Sequence, residues 1–303
     1  MKKLIIILAA AAMAGCGIYK PYTRPEEIKT DGLYGQGVET VDTMTLGNIS
    51  WQEMFTDPYL QQLIQQGLDN NTDLQSAYWR VKEAEATLKS ARLAYLPSFN
   101  FAPNGGVSSL TNPWNATWTY TLPVTASWEV DIFGKLTNSK RRAKALLAQS
   151  QEYQQAVRTQ VIASVANLYY TLLMLDAQYE ISSETAEKWF ETVNTMRAMK
   201  EAGMTNEAAV SQAEANYYSI ETSLFDLEYQ IREMENSLSS LLGEAPRSFE
   251  RGTLDEQILP ENLVVGIPAQ MLSNRPDVKN AEYSLAQAFY NTCLLYTSPS
   301  PRD

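Results

Sequence analysis

Two carboxylates are the closest approach to an acid–base pair in this sequence. Glu129 and Asp131 stand two residues apart, and paired carboxylates are the catalytic groups of most glycoside hydrolases. No nucleophile motif or metal partner lies near them, and the 303 residues include no histidine, the commonest general base and zinc ligand. We therefore expect no catalytic residue, no metal site and no cofactor, and we interpret both acids as residues of a polar surface.

The cysteine near the N-terminus indicates a different chemistry. Two lysines precede the apolar run Leu4–Met13, which is too short to span a bilayer and is typical of a secretion signal. Cys16 directly follows Ala14 and Gly15, a pattern that resembles the lipobox of bacterial lipoproteins. It predicts cleavage before Cys16 and diacylation of its thiol, and Gly17 favours sorting to the outer membrane. The alternative is an ordinary secretion signal followed by an incidental cysteine.

The charge balance argues against nucleic acid as a partner. The chain carries 24 Lys+Arg scattered among 35 Asp+Glu, a formal net charge of -11, with no basic patch that could follow a phosphate backbone. With 45% hydrophobic and 19% charged residues, the composition is that of a folded protein of one large or two ordinary domains.

The last residues, 293–303, break an alanine-rich helical pattern and carry the second cysteine. They resemble a translated sequencing adapter, so we expect this tail to be non-native and the natural sequence to continue past Thr292. A disulfide between Cys16 and Cys293 is not expected, because one sulfur would be lipidated and the other foreign.

Helical periodicity dominates the rest of the chain. Apolar residues three or four apart predict helix over 59–95 with a break at Asn70-Asn71, one very long helix from Lys135 to Ala202, and a return helix that ends at Gly243. At 1.5 Å per residue the long helix would extend about 100 Å. The return helix carries a regular coiled-coil seam, formed by Val210, Ala213, Tyr217, Ile220, Leu224, Leu227, Ile231, Met234, Leu238 and Leu241.

A segment with a period of two interrupts the helices. Between Trp118 and Trp128, apolar residues alternate with Thr, Ser and Pro, which predicts a β-strand with one apolar and one polar face. About ten residues with Trp at both ends match a tilted transmembrane strand whose aromatic residues lie at the two membrane interfaces. Phe99 and Phe101 indicate a shorter partner strand, and Gly105–Asn115 an exposed loop. The alternative is a half-buried strand of a soluble sheet.

The chain also shows an internal repeat. Asp73-Leu74, Ala77, Val81 and Ala84 recur as Asp277-Val278, Ala281, Leu285 and Ala288, at a constant offset of 204 residues. Pro276 suits the first turn of a helix, and Asp277 beside it faces the positive end of the helix dipole. The pattern predicts that a second copy of the first repeat begins near position 276.

Three motifs carry a family resemblance. They are Trp51 with Phe55-Thr56-Asp57-Pro58-Tyr59-Leu60, the run from Ser127 to Leu136, and the run from Gly266 to Val278 with Ala281-Glu282. In order and spacing they resemble the lipoprotein branch of the TolC-type outer-membrane factor family, and together they cover most of residues 16–292.

The resemblance implies a mainly α fold with a transmembrane β part. Long coiled-coil hairpins would build an α-barrel, and the strands would join a trimeric outer-membrane β-barrel; the chain would hold the first repeat and the start of the second. The expected segments are a signal peptide (1–15), a tether (16–50), a helical segment (51–97), a transmembrane strand pair (98–130), a periplasmic coiled-coil hairpin (131–243), a linker (244–275), the start of the second-repeat helix (276–292) and the non-native tail (293–303).

The resemblance also implies a function without catalysis. The protein would be a homotrimeric, passive exit duct at the outer membrane, lipid-anchored through Cys16 and extending into the periplasm. A periplasmic adaptor (membrane fusion protein) and an inner-membrane pump of the resistance-nodulation-division or ABC type would be its partners, with outer-membrane lipid and no nucleic acid.

The same resemblance assigns places to individual residues. The turn Ala202-Gly203-Met204-Thr205 would contact the adaptor, Trp118 and Trp128 would lie at the membrane interfaces, and Glu129 and Asp131 would face the lumen or an interface. A simpler alternative for the turn is that Gly203 and Thr205 merely cap two helices. The alternative function is a lipid-anchored periplasmic coiled-coil scaffold or adhesin without a pore.

Overall fold

The computed structural model describes residues 20–24, 50–108, 117–258 and 275–297. Within them lie helices α1 (Trp51–Met54), α2 (Pro58–Asn70), α3 (Thr72–Leu93), α4 (Lys135–Glu201), α5 (Glu207–Leu241) and α6 (Pro276–Thr297), and strands β1 (Ser98–Phe101), β2 (Asn104–Ser108), β3 (Thr117–Thr121) and β4 (Val124–Ser127). Cys16 lies outside the described residues. So do positions 109–115 of the predicted loop and the motif residues 266–274.

The chain divides into two compact units. The first, here the strand unit, combines Met1–Lys29, Trp79–Tyr153 and Arg275–Asp303, and the second, the helical unit, combines Thr30–Tyr78 and Gln154–Asn274. Helices α3 and α4 contribute residues to both units. Among the described residues, no helix is both long enough and apolar enough to cross a membrane.

Side-chain caps set the helix starts in the helical unit. Asp57 Oδ1 accepts the backbone N–H groups of Tyr59 and Leu60, and Pro58 occupies the first position of α2, where its missing N–H leaves no bond unmade. Asn71 separates α2 from α3, and its Oδ1 accepts the N–H of Leu74 at 2.9 Å. The predicted break at this point is confirmed.

The core of the helical unit joins α2, α4 and α5. Its most deeply buried residues are Leu60, Ile64, Val165, Tyr169, Leu172, Leu173, Leu238 and Leu242. The predicted long helix is confirmed, because Lys135–Glu201 is one α-helix of 67 residues. The predicted seam of α5 is also confirmed, because every one of its residues is buried or half-buried.

Four strands in the strand unit form one antiparallel hairpin. β1 pairs with β4 and β2 with β3, and a single register runs from Ser98 opposite Ser127 to Ser108 opposite Thr117. Each arm is therefore 11 residues long, interrupted between the strand pairs at Pro103 and Pro123. The interruption follows from the missing N–H group of proline, which cannot donate a ladder hydrogen bond.

The predicted loop boundary was wrong. Gly105 to Ser108 belong to β2 rather than to a loop. Tyr120 lies directly opposite Gly105, and its ring carbon would be 3.4 Å from a Cβ at that glycine, so the aromatic ring covers the strand where no side chain exists. A glycine pair shows no apolar alternation in sequence, which is why the strand was missed.

Helices α3 and α6 of the strand unit are alike in length and position. Their first residues, Thr72 and Pro276, and their last, Leu93 and Thr297, are both separated by 204 residues, the offset of the sequence repeat. The placement of Pro276 at the start of a helix is confirmed. Both helices contact α4, through Arg80 over the Tyr153 ring at 5.1 Å and through Asn280 with Gln149 at 3.4 Å.

Candidate functional site

The strand hairpin presents two chemically different faces. The register places Trp118, Tyr120, Val124 and Ala126 on the same face as their partners Val107, Gly105, Phe101 and Phe99. The opposite face carries only small polar pairs where the strands are hydrogen-bonded, namely Ser98 with Ser127, Asn100 with Thr125, Asn104 with Thr121, Gly106 with Thr119 and Ser108 with Thr117. The large apolar residues of β1 to β4 are 53–74% exposed, so nothing in the described chain covers this face.

The two predicted interface tryptophans lie at opposite ends of one arm. Trp118 stacks on Tyr120, with ring centroids 6.4 Å apart, and is 64% exposed. Trp128 follows β4 and is 65% exposed, and its Nε1 donates to the backbone carbonyl of Tyr95 at 3.0 Å. An indole that is apolar over its ring and hydrogen-bonded at its edge suits a boundary between lipid and water.

The two acids after the strand have a structural role. Asp131 accepts the N–H groups of Leu136 and Thr137 at 2.9 and 2.8 Å and the Thr137 hydroxyl at 2.6 Å, so it caps the first turn of α4. Glu129 accepts from Lys135 Nζ at 2.9 Å. β4 ends at Ser127, so neither acid continues its polar face, and that interpretation was wrong.

Gly134 turns the chain from the hairpin into α4. It has a φ of 75°, a left-handed conformation that a residue with a Cβ adopts only with strain. Asn138 N–H donates to its carbonyl at 2.9 Å, which opens the helical hydrogen-bond ladder. Strand, glycine and cap are consecutive, so the sequence Trp128 to Thr137 is a joint between strand and helix.

The turn between α4 and α5 closes with a Schellman motif. Gly203 has a φ of 72°, and the N–H of Met204 donates to the carbonyl of Met199 at 2.8 Å. Ala202, Gly203 and Met204 are exposed, with Met204 at 73%. Thr205 is half-buried, and it does not cap α5 as the sequence suggested.

The residue that caps α5 is Asn206. Its Oδ1 accepts the N–H of Ala209 at 3.0 Å, three residues on, where an N-cap side chain reaches and where Thr205 would fall one residue short. Two ion pairs, Arg197 with Glu214 and Lys200 with Glu207, link α4 to α5 beside the turn. The turn therefore has a defined conformation and one prominent apolar side chain.

A buried hydrogen-bond cluster around Asp57 was not found from the sequence. Asp57 Oδ2 accepts from the Tyr169 hydroxyl at 2.6 Å and from Gln257 Nε2 at 2.8 Å, and Gly252 N–H donates to the same hydroxyl. Partial burial raises the pKa of the Asp57 carboxyl, but the hydrogen bonds to its charged form lower it further, so the net pKa lies below the ordinary value. Burial and the bond to Asp57 raise the pKa of the Tyr169 hydroxyl.

A second cluster holds the segment after α5 against both long helices. Arg251 donates to Asp176 of α4 and to Glu235 of α5, each at 2.8 Å, while its side chain is 14% exposed. The hydrogen bonds with Asp176 and Glu235 raise the pKa of the Arg251 guanidinium, against the opposing effect of burial. Ser248 donates to the remaining oxygen of Glu235 at 3.2 Å. The two clusters fasten residues 248–257 to the core, a structural function with no substrate-sized chemistry.

The family assignment comes from comparison with known proteins. The outer membrane efflux protein family matches residues 63–244, more than half of the 303 residues. The chain belongs to this family. Membership confirms the predicted TolC-type relationship and the predicted outer-membrane localisation.

Individual relatives extend the match over nearly the whole chain. Identity is 27% to cation efflux system protein CusC of Escherichia coli O6:H1, over 95% of this chain and 64% of CusC. It is 29% to probable efflux pump outer membrane protein TtgC of Pseudomonas putida, over 96% and 63%. It is 28% to probable outer membrane lipoprotein SilC of Salmonella typhimurium, over 95% and 64%. The chain thus spans a little under two thirds of the length of these relatives.

Solved structures show the same fold. The outer-membrane channel OprN superimposes with a TM-score of 0.77 at 22% identity, over 92% of this chain and 64% of OprN. The predicted fold class, mainly α with a β part, is confirmed by this likeness.

Proposed function

We propose that this chain forms part of the outer-membrane exit duct of a tripartite efflux system. Copies of the chain, three in the complete assembly, would enclose a passive water-filled path, and an inner-membrane pump would drive export through a periplasmic adaptor. The duct itself makes and breaks no bond. The names of the relatives refer to different cargoes, cations for CusC and none for TtgC, so no cargo is part of the proposal.

The observation that carries the proposal is the two-faced hairpin. Arms of 11 residues match the roughly 9–11 residues that a tilted strand needs to cross a bilayer. The apolar face is fully uncovered, and hydrocarbon is the environment in which its exposure costs nothing. The polar face then borders water, as a duct requires.

One hairpin cannot cross a membrane alone. Its outer edges present backbone N–H and C=O groups without partners, each of which costs several kcal/mol in hydrocarbon. The proposal therefore requires further strands on both sides, from other copies or other parts of the complete protein, to close the sheet. Homotrimer formation follows from this requirement.

The N-terminal segment supports a lipid anchor at Cys16. Four residues after Cys16 the described chain begins, and Tyr22 there packs against Phe289 and receives a bond partner in the Tyr290 hydroxyl, 3.0 Å from its backbone N–H. The tether is thus attached to the strand unit, the unit that holds the hairpin. We propose that the acyl chains and the hairpin enter the same membrane.

The turn Ala202–Thr205 is the proposed adaptor contact. Its Schellman motif fixes the backbone, and Met204 presents a flexible thioether side chain of the kind that adapts to partner surfaces. Substituting Met204→Asp should weaken adaptor binding without altering the fold.

A charge placed on the apolar face tests the function. In the full-length protein of the host, we expect Trp118→Lys/Trp128→Lys to abolish outer-membrane assembly and to raise dye accumulation to the level of the deletion strain. Trp79→Lys is the matched control, because Trp79 is 68% exposed on α3 rather than on a strand. Normal assembly of the double variant would instead favour a lipid-anchored coiled-coil scaffold or adhesin without a pore.

A further inference from the structure

Positive charge is concentrated beside the strand hairpin. Residues 86–151 hold seven of the 24 Lys+Arg but only two of the 35 Asp+Glu, in a chain whose formal net charge is -11. Both of those acids, Glu129 and Asp131, are engaged at the start of α4. The overall acidity of the chain therefore conceals a local cationic region, which the sequence analysis described as scattered charge.

Five of these cations form a group that we call the cationic collar. Two lie in the last turns of α3 before the hairpin and three lie in the first turns of α4 after it: Lys89, Arg92, Lys140, Arg142 and Lys144. All five are exposed. Within the described parts of the chain, no carboxylate lies within ion-pair distance of any of them.

The contacts of the collar leave its charge available. Lys140 lies over the Tyr95 ring at 5.7 Å, and Arg142 donates to the neutral side-chain oxygen of Asn291 at 3.1 Å. Neither contact neutralises a cation. Five uncompensated charges on adjacent turns repel one another, and an anionic ligand relieves that repulsion.

Position decides which anion the collar faces. The helices that carry it lead directly into and out of the hairpin, at the end where Trp128 binds the Tyr95 carbonyl. The first three turns of α4 extend roughly 15 Å from its start, and the headgroup layer of a leaflet is roughly 5–8 Å thick. Long Lys and Arg side chains reach back toward such a layer while their stems lie along the protein.

We propose that the cationic collar binds the phosphate groups of anionic phospholipids in the leaflet that the hairpin enters. This inference rests on the proposed function, because it needs the apolar face of the hairpin in the membrane. The collar supplies a second, electrostatic contact beside the hydrophobic one, and the tether attached to the same unit brings the acyl anchor to the same leaflet.

Vesicle flotation of the purified chain tests the proposal. Vesicles of phosphatidylethanolamine and phosphatidylcholine are compared with vesicles in which phosphatidylglycerol replaces phosphatidylcholine, at ionic strengths of about 0.01 M and about 0.15 M. The readout is the ratio of anionic to neutral partition. The collar variant is Lys89→Gln/Lys140→Gln/Lys144→Gln.

The matched control removes the same charge elsewhere. Arg158→Gln/Lys188→Gln/Arg232→Gln neutralises three exposed cations of the helical unit. Each cation near an anionic surface adds roughly fivefold to partition, so the collar variant should lose on the order of 100-fold of the anionic preference at low salt. The control should keep it, and circular dichroism should show equal helix content in all three proteins.

Each outcome decides a separate point. A loss of anionic preference confined to the collar variant supports the proposal. Equal loss in the control, or no preference in the unsubstituted chain, overturns it while leaving membrane binding through the hairpin intact. Failure of the unsubstituted chain to float with either vesicle contradicts the proposed function itself.

Discussion

At the scale of single residues, buried charge does structural work that the family comparison does not describe. Asp57 receives four hydrogen bonds, from two backbone N–H groups, the Tyr169 hydroxyl and Gln257. A carboxylate suits this site because it only accepts, whereas the amide of asparagine would turn a donor toward donors. The cluster connects the start of α2 to α4 and to the segment after α5.

Replacing Asp57 should therefore lower stability in a pH-dependent way. We expect Asp57→Asn to reduce the free energy of unfolding by about 1.5–3 kcal/mol at pH 7, because hydrogen bonds to a charged group are lost. The pKa of Asp57 is lower in the folded chain, so its contribution is full above the unfolded-state pKa near ~3.9 and disappears as pH falls through the folded-state pKa. Urea unfolding followed by circular dichroism at both pH values measures this.

A surface aspartate supplies the control for that experiment. Asp226→Asn changes an exposed carboxylate of α5 and should leave the unfolding curves unchanged at pH 7. An Asp57→Asn protein whose stability deficit is equally large at pH 7 and well below pH 3.9 would contradict the assigned role, since the deficit should shrink in acid.

The guanidinium of Arg251 is the other residue-scale prediction. We expect Arg251→Met to destabilise the chain by about 3–5 kcal/mol, because the 10% exposed Glu235 is left beside Asp176 without a counter-charge. Arg251→Lys should recover only part of this, because lysine cannot make the forked contact to two carboxylates. Chemical unfolding of both, with Arg232→Met as the exposed control, tests the prediction; a loss below about 1 kcal/mol would refute it.

At the scale of elements, the turn between the long helices is set by backbone conformation. No heavy atom lies within 4 Å of a Cβ added at Gly203, so the space is open and only the positive φ opposes substitution. We expect Gly203→Val to cost about 1–2 kcal/mol and Gly203→Asn clearly less, because asparagine tolerates the left-handed region. Equal unfolding free energies for the two variants would show that the turn is not held in this conformation.

The same scale shows what sequence periodicity can and cannot predict. Helix α4 and the seam of α5 were predicted because one apolar stripe repeats over many turns. The strand at Gly105 was missed because its conformation depends on Tyr120 across the hairpin. Asp131 was misassigned because whether it caps or lines a face depends on where α4 begins.

Contacts between distant segments lay beyond the sequence altogether. Arg251 and Asp176 are 75 positions apart, and Tyr169 and Asp57 are 112 apart, with no periodic pattern linking them. The cationic collar was concealed for another reason, because a net charge of -11 averages over regions of opposite sign. A local count of charge on either side of the hairpin would have found it.

At the scale of the whole molecule, the account depends on the hairpin entering a bilayer with one face to lipid and the other to water. Family membership and the shared fold establish what kind of protein this is. The repeat of α3 in α6, at an offset of 204 residues, indicates that the first hairpin has a counterpart in the complete duct. Everything proposed about the anchor and the collar follows from the orientation of these strands.

Site-directed spin labelling across β3 and β4 tests that orientation most directly. Single cysteines at 118–121 and 124–127, in a Cys293→Ser background reconstituted in lipid, would be labelled and their accessibility to oxygen and to a water-soluble nickel complex compared. We predict alternation with a period of two, with labels at Trp118, Tyr120, Val124 and Ala126 in lipid and labels at the intervening positions in water. Uniform water accessibility along both strands would contradict the account.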